Sequence, residues 1–328
     1  MSHNKTRLGI IIIVAIIGMF FCVFLKEKTY KDVLYVPTQI TKIEDYYFIM
    51  DCWQHRLLYS DDLDKPISKW KTMTEEITGG HSLAFDGELY VTEDTEGSRM
   101  LVFKRVGDTF EMTQAIEGIM GRPHYTLYDE DTKRFYTVTS NGGTLHSFVN
   151  KDGILELEST VQFEELASSY VRSLNIIDGY MYLTCGPGYI SKVDYRTENW
   201  QIIERYPVPT EFYNMNFFTK IGDYYYCTIN VTGEAQTSEI VRAKNIEDFA
   251  TGNYESMYEH MDFAGTPYYI SFFDGKYFIT EVGEFGNNGI RSFEVGEDGE
   301  ITNVEILFFY EDVLEDSKTR RLEGLEGL

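Results

Sequence analysis

Cysteine, proline and tryptophan are scarce in this chain of 328 residues, and basic charge is in deficit. The four cysteines are Cys22, Cys52, Cys185 and Cys227. Cys22 lies in an apolar run, and the three that remain cannot form a complete disulfide framework. That usage excludes a disulfide-rich secreted module and fits an exported bacterial surface protein. Lysine and arginine number 29 against 53 acids, for a net charge of −24. Such a balance argues against a nucleic-acid partner and against lying flat on anionic lipid. No nucleophile elbow, Walker loop, paired CxxC or HExxH is present, which removes the common motif-defined enzymes. Helical periodicity is almost absent beyond the N-terminus.

One long apolar run does exist. Leu8 to Leu25, "LGIIIIVAIIGMFFCVFL", is 18 residues without a charge, flanked by Lys5, Arg7, Lys26 and Lys28. At 1.5 Å per residue it spans roughly 27 Å, about the thickness of a bilayer's hydrocarbon core. No small-x-small cleavage site follows it, and Phe21 precedes Cys22 where a lipoprotein signal needs a small residue. The expectation is an uncleaved signal anchor over residues 1–28: one transmembrane helix, with Lys5 and Arg7 cytoplasmic and the rest of the chain outside a bacterial cell membrane. Residues 1–28 carry four basic groups and one acidic one, a net +3, so the rest carries −27 of the total −24.

What the body has in abundance is a repeated hairpin. "GGHSLAFDGELYVTED" (Gly79 to Asp94) alternates apolar and polar residues around Asp86-Gly87, a strong local hairpin signal. Similar second strands end at Thr139, Thr184, Thr228 and Thr280, at intervals of 47, 45, 44 and 52 residues from Thr92 onward. "YYFIMD", ending at Asp51, lies 41 residues before Thr92 and makes a sixth copy. Two further strand-like runs follow the copies, for example "RMLVFKRV" with "FEMTQAI". Four strands per ~45 residues, six times, predict an all-β six-bladed β-propeller over residues 29–310, with residues 311–328 a charged C-terminal tail. "FDGELYVTE" and "FDGKYFITE" resemble blades of the six-bladed TolB-like and NHL-like propellers, a likeness of architecture over about residues 32–310. Either "DVLYV" (Asp32 to Val36) or the last strand is expected to seal the junction between the last and first blades.

Propeller topology brings the start of each first strand and the end of each second strand to one face. Hairpin counting places Gln39, His81, Glu93, His124, Arg172, Asn216, Tyr268, Tyr269 and Glu281 at that mouth. Rim aromatics are expected from Trp53, Tyr125, Tyr170, Tyr213, Tyr268 and Tyr269. The long polar loops "INVTGEAQTSE" and "EVGEFGNNG" fall on the same face, where binding residues on a rigid scaffold usually lie. Gluconolactonase-type and paraoxonase-type propellers hold a divalent metal at such a rim. The positions here do not match that family's motif, but an oxygen-rich set suits calcium, so Glu93, Asn216 and Glu281 are the candidate oxygen ligands, with His81 or His124 as base or ligand. The competing expectation, after WD-repeat propellers, is that His81 tethers Thr92 and His124 tethers Thr139. Arg172, in an acidic body, either pairs with Glu93 or Glu281 or receives an anionic ligand.

Three functions remain open on these residues. The first is a membrane-anchored extracytoplasmic propeller binding a surface protein, glycan or small ligand at its mouth. The second is a metal-assisted hydrolase or lactonase at the same mouth. The third is a structural assembly subunit.

Overall fold

The structure is a computed structural model that describes residues 32–310, except 211, 213, 231–237, 264 and 284–287. The apolar run Leu8–Leu25, the tail 311–328, Tyr213 and residues 231–237 and 284–287 of the two long polar loops lie outside the described residues. No helix among the described residues is long and apolar enough to cross a membrane.

Six four-stranded antiparallel sheets follow one another along the chain, each a simple meander of consecutive strands. Blade one is β1 (Pro37–Ile43), β2 (Tyr46–Asp51), β3 (Arg56–Ser60) and β4 (Lys71–Thr74). Blade two is β5 (Ala84–Phe85), β6 (Tyr90–Asp94), β7 (Arg99–Val106) and β8 (Thr109–Glu117). Blade three is β9 (Pro123–Asp129), β10 (Arg134–Thr139), β11 (Thr144–Lys151) and β12 (Ile154–Gln162). Blade four is β13 (Tyr170–Ile177), β14 (Tyr180–Gly186), β15 (Tyr189–Asp194) and β16 (Gln201–Pro207). Blade five is β17 (Asn214–Ile221), β18 (Tyr224–Asn230), β19 (Glu239–Ala243) and the two-residue β20 (Glu255–Ser256). Blade six is β21 (Thr266–Phe273), β22 (Lys276–Val282), β23 (Asn288–Val295) and β24 (Ile301–Tyr310). The six-bladed propeller read from the hairpin spacing is therefore the observed architecture.

Alternation explains which side chains fill the gaps between blades. In β6, Tyr90 faces the cluster shared with blade one, with Phe48, Tyr59 and Leu101, while Val91 faces the one shared with blade three, with Phe135 and Phe148. Burying both faces of the inner strands is what makes them near-continuous apolar runs.

A ring of side-chain hydrogen bonds ties each blade to the next. Thr38 Oγ1 donates to His81 O (2.9 Å), Thr126 N to Ser82 Oγ (2.8 Å) and His124 Nδ1 to Arg172 O (2.8 Å). Asn175 Nδ2 donates to Phe218 O (3.2 Å), Asn216 Nδ2 to Pro267 O (2.8 Å) and Thr280 Oγ1 to Thr38 O (2.9 Å). The last bond closes the circle between blades six and one without any exchange of strands. The same seam is covered by the entering chain: Leu34 packs with Ile290 and Phe308. Tyr35 N and Val36 N donate to Asp51 Oδ1, and Arg56 Nη2 and Gln54 Nε2 donate to Val33 O. So it is the Asp32–Val36 segment that seals the junction.

The opening hairpin departs from the expected register. Ala84 pairs with Val91 and Phe85 with Tyr90, so the turn spans Asp86 to Leu89 rather than two residues. Asp86 Oδ1 holds it by accepting from Glu88 N and Leu89 N. A slip of two residues keeps every side chain on its own face.

Candidate functional site

The mouth is shaped by irregularity at the same place in blade after blade. An extra residue interrupts the ladder at Thr38, at His124, within Arg172–Ser173, at Asn216 and within Tyr268–Tyr269. A bulge bends its strand and re-aims the side chain. Blade two reaches the same end differently. The Glu93 carboxylate takes the backbone N–H of His81 and of Ser82, which ends the β5 ladder early and leaves His81 at the rim.

A cavity of about 220 Å³ opens on this face. Among the sequence-selected residues, His81, His124, Arg172 and Tyr268 line it; Glu93, Asn216, Tyr269 and Glu281 do not. Trp53 and Tyr170 also line it, whereas Thr38, Cys52, His55, Glu96, Arg122 and Asn230 are lining residues that hairpin counting left out. The signal for the last group was available only in part. His55 and Glu96 follow second strands, where loops crown the mouth, but nothing local marks them from other loop residues.

Tyr268 on the cavity wall is backed by an aromatic cluster. Tyr269 meets Tyr125 edge-on at 4.7 Å, Phe217 at 5.5 Å and Tyr268 at 4.4 Å, and all four rings are buried. The His81 and His124 rings stack at 3.8 Å, 13° from parallel. A carbonyl only accepts, so the bond to Arg172 O puts the proton of His124 on Nδ1. Burial, with the positive charge of Arg172, pushes the His124 imidazole down to about 3, so it is neutral at ordinary pH. His81 is half-buried, and its Nδ1 is 3.4 Å from the Tyr268 hydroxyl.

Arg172 supplies the mouth with positive charge. It forms no ion pair among the described residues; its guanidinium lies 5.1 Å from the Tyr170 ring centroid, beside Tyr268. Its buried Nε has no hydrogen-bond partner in the described structure. The other mouth arginine, Arg122, is paired with Glu96 at 2.6 Å.

Several expectations are corrected here. Thr92 Oγ1 bonds to Ser82 O (2.6 Å), not to His81, because the true register sets His81 two residues further along. His124 bonds to the next blade rather than to Thr139. Glu93 is buried and accepts from Ser82 and the backbone, and Glu281 is buried against Arg291, so neither pairs with Arg172. Asn216 is spent as an interblade strut, and its Oδ1 is buried without a partner among the described residues. Gln39 Oε1 likewise accepts from Leu83 N (2.7 Å). Glu93, Asn216 and Glu281 thus sit in three separate networks and do not converge as a coordination set. No group of three or more His, Cys, Asp or Glu side chains suited to a metal occurs among the described residues. Cys52, Cys185 and Cys227 are buried.

No protein-family model and no curated protein matches the chain. Solved structures do. A candidate 6-phosphogluconolactonase from Bacteroides uniformis aligns at 14% identity and a TM-score of 0.57, over 82% of this chain and 83% of that one. Another, from Bacteroides fragilis, aligns at 15% identity and a TM-score of 0.59, over 81% and 82%. Sqt1 of Saccharomyces cerevisiae aligns at 10% identity and a TM-score of 0.56, over 84% and 86%. At such identities the likeness is one of fold.

Proposed function

We propose that this protein is a membrane-anchored propeller whose mouth takes a small anionic molecule of the sugar-acid type and hydrolyses its lactone. The observation that carries the reading is Arg172: a cation on the cavity wall, beside two stacked imidazoles, with which no carboxylate among the described residues forms an ion pair. A cavity of about 220 Å³ suits a small ligand and not a polymer chain. The names of the two Bacteroides neighbours lend support to a lactone as substrate. Kinship with the TolB-like and NHL-like propellers belongs to this proposal and rests on the hairpin motifs. Anchoring rests on the run Leu8–Leu25 and would place the propeller outside the cytoplasm.

The chemistry needs only side chains of the mouth. His81, the imidazole with access to solvent, takes a proton from water as its oxygen adds to the lactone carbonyl. The Arg172 guanidinium and the Tyr268 hydroxyl donate to the oxyanion that forms. Collapse of the tetrahedral adduct breaks the ring C–O bond, and His81 returns its proton to the departing alkoxide. His124, held neutral, fixes the His81 ring by stacking and positions it; it is not the base.

The test is a pH-stat assay of lactones with and without phosphate or carboxylate substituents, 6-phosphogluconolactone and unsubstituted gluconolactone included. At least one anionic lactone should open faster than its spontaneous rate. Arg172→Met should slow it by about 10² to 10³, the usual effect of losing one oxyanion donor. If no lactone is opened above background, or Arg172→Met retains the parent rate, the hydrolase reading falls.

A further inference from the structure

We infer that the mouth of the propeller is turned toward the bilayer, so that ligands reach it only through the narrow gap between the two. This rests on the anchoring part of the function proposed above and goes beyond it in assigning the orientation and the face the membrane meets. Three observations carry it.

The first is where the chain enters. Val33 to Val36 is pinned to the mouth end of blade one by Asp51, Gln54 and Arg56, and Val36 itself lines the cavity. Between Leu25, the end of the apolar run, and Val33 lie seven residues. Fully extended they reach about 25 Å, less than the length of the apolar run as a helix. The anchor therefore holds the entry point close to the membrane, and the entry point is on the mouth rim.

The second is where the chain leaves. β24 ends at Tyr310, which pairs with Asn288 at the mouth end of β23. Both ends of the propeller depart from the same rim.

The third is charge. All six first turns, on the face opposite the mouth, carry an acid: Glu44, Asp86, Asp129, Asp178, Asp223 and Asp274. The second turns of that face add Asp61, Asp108, Asp152 and Asp298 among others. The described connections on the mouth side carry fewer: Glu75, Glu76, Glu164, Glu165, Glu259 and Asp262, with none at 118–122, 140–143 or 187–188. Some acids of each face are paired, Glu96 with Arg122 at the mouth and Glu44, Asp178 and Asp274 with Arg105, Lys220 and Lys42 opposite it. Met120, 72% exposed, stands on the mouth rim. A strongly acidic body beside an anionic leaflet is repelled least when its acids point away, since screening over about 8 Å leaves the far face almost unaffected.

The consequence selects among partners. A gap bounded by a seven-residue tether admits small solutes and lipid headgroups but leaves little room for a folded protein.

The orientation is measured on full-length protein reconstituted in liposomes that contain a rhodamine-labelled lipid, in a Cys22→Ser background. Met120→Cys marks the mouth rim and Asp223→Cys the opposite turns; each carries a fluorescent donor, while the three native thiols of the propeller are buried and stay unlabelled in the folded protein. Energy transfer to the membrane should be several-fold greater from position 120 than from position 223. Equal or reversed transfer in protein that resists carbonate washing overturns the orientation and leaves anchoring standing. Release of the protein by carbonate overturns the anchoring and this inference with it.

Discussion

Glu93 and Glu281 stand at equivalent places, each following the threonine near the end of its blade's second strand, and both are completely buried. Their surroundings differ by one residue on the neighbouring strand. In blade six Ile279 pairs with Arg291, whose guanidinium meets Glu281, donates to Asp262 O and packs over Phe263 at 4.5 Å. In blade two the corresponding Val91 pairs with Val102, and no cation pairs with Glu93 among the described residues. Glu93 is held instead by Ser82 Oγ (2.8 Å) and the N–H groups of His81 and Ser82 (2.9 and 2.7 Å). Neutral donors offset only part of the cost of burying a charge, so desolvation pushes the Glu93 carboxyl up to about 7. Two copies of one local motif are therefore an ion pair and a titratable acid. The comparison shows that in a repeat fold the partner strand, not the motif, sets the chemistry of a buried group.

The most damaging way to probe this contrast is Arg291→Met. It strands the Glu281 carboxylate in an apolar setting, and loss of one partner of a buried pair costs about 3 to 5 kcal/mol. A urea titration should show that loss near neutral pH, and Arg291→Met combined with Glu281→Leu should recover much of it. A single variant as stable as the parent would break the comparison from the blade-six side.

Glu93→Gln acts on the other half. The native carboxyl keeps its proton to a higher pH than the unfolded chain, about 7 against 4.5. The folded state then binds more protons across that window, so stability falls as pH rises from 4.5 through 7. Two and a half units at 1.36 kcal/mol each give a loss of about 3 kcal/mol. Glu93→Gln removes that loss. The variant should match the parent near pH 4.5 and exceed it at pH 8, whereas Glu281→Gln should be less stable than the parent at both. Unfolding midpoints with the same pH dependence in parent and Glu93→Gln would contradict the environment described for this residue.

An intermediate case sharpens the scale. Asp94 is buried and paired with Arg99 at 2.7 Å, but the arginine is 29% exposed and Asp94 also accepts from Thr78 N and Gly97 N. With water and backbone donors at hand, Arg99→Ala should cost about 1.5 kcal/mol, the low end for a charged hydrogen bond. A loss as large as that from Arg291→Met would mean that exposure does not grade these pairs.

Much of the fold was legible before any coordinates. Each hairpin is a local object: period-two alternation buries one set of side chains, and Asp-Gly or a similar pair allows the reversal. Six such objects at near-constant spacing leave few architectures open. The mouth was legible in outline for the same reason, since meander topology alone assigns strand ends to faces, and it brought His81, His124, Arg172 and Tyr268 to the cavity. It erred on Glu93, Asn216 and Glu281 because a residue at the right height on a strand still points where its ladder sends it. The bulges that turn His124 and Arg172 outward, and the carboxylate that ends β5, are settled by contacts between blades.

The sequence by itself determined that the described chain is a ring of six four-stranded sheets, because strand alternation and turn residues act within a few positions of one another. Only the tertiary structure decided which polar residues remain for a ligand. Among the described residues no carboxylate pairs with Arg172: Glu281 is taken by Arg291, and Glu93 by Ser82 and its neighbours. Those pairings depend on register between strands and on side chains from adjacent blades, distances that no local pattern encodes. Burial then makes each of them consequential, since a charge out of water must find its partner within a few ångströms or lose its proton.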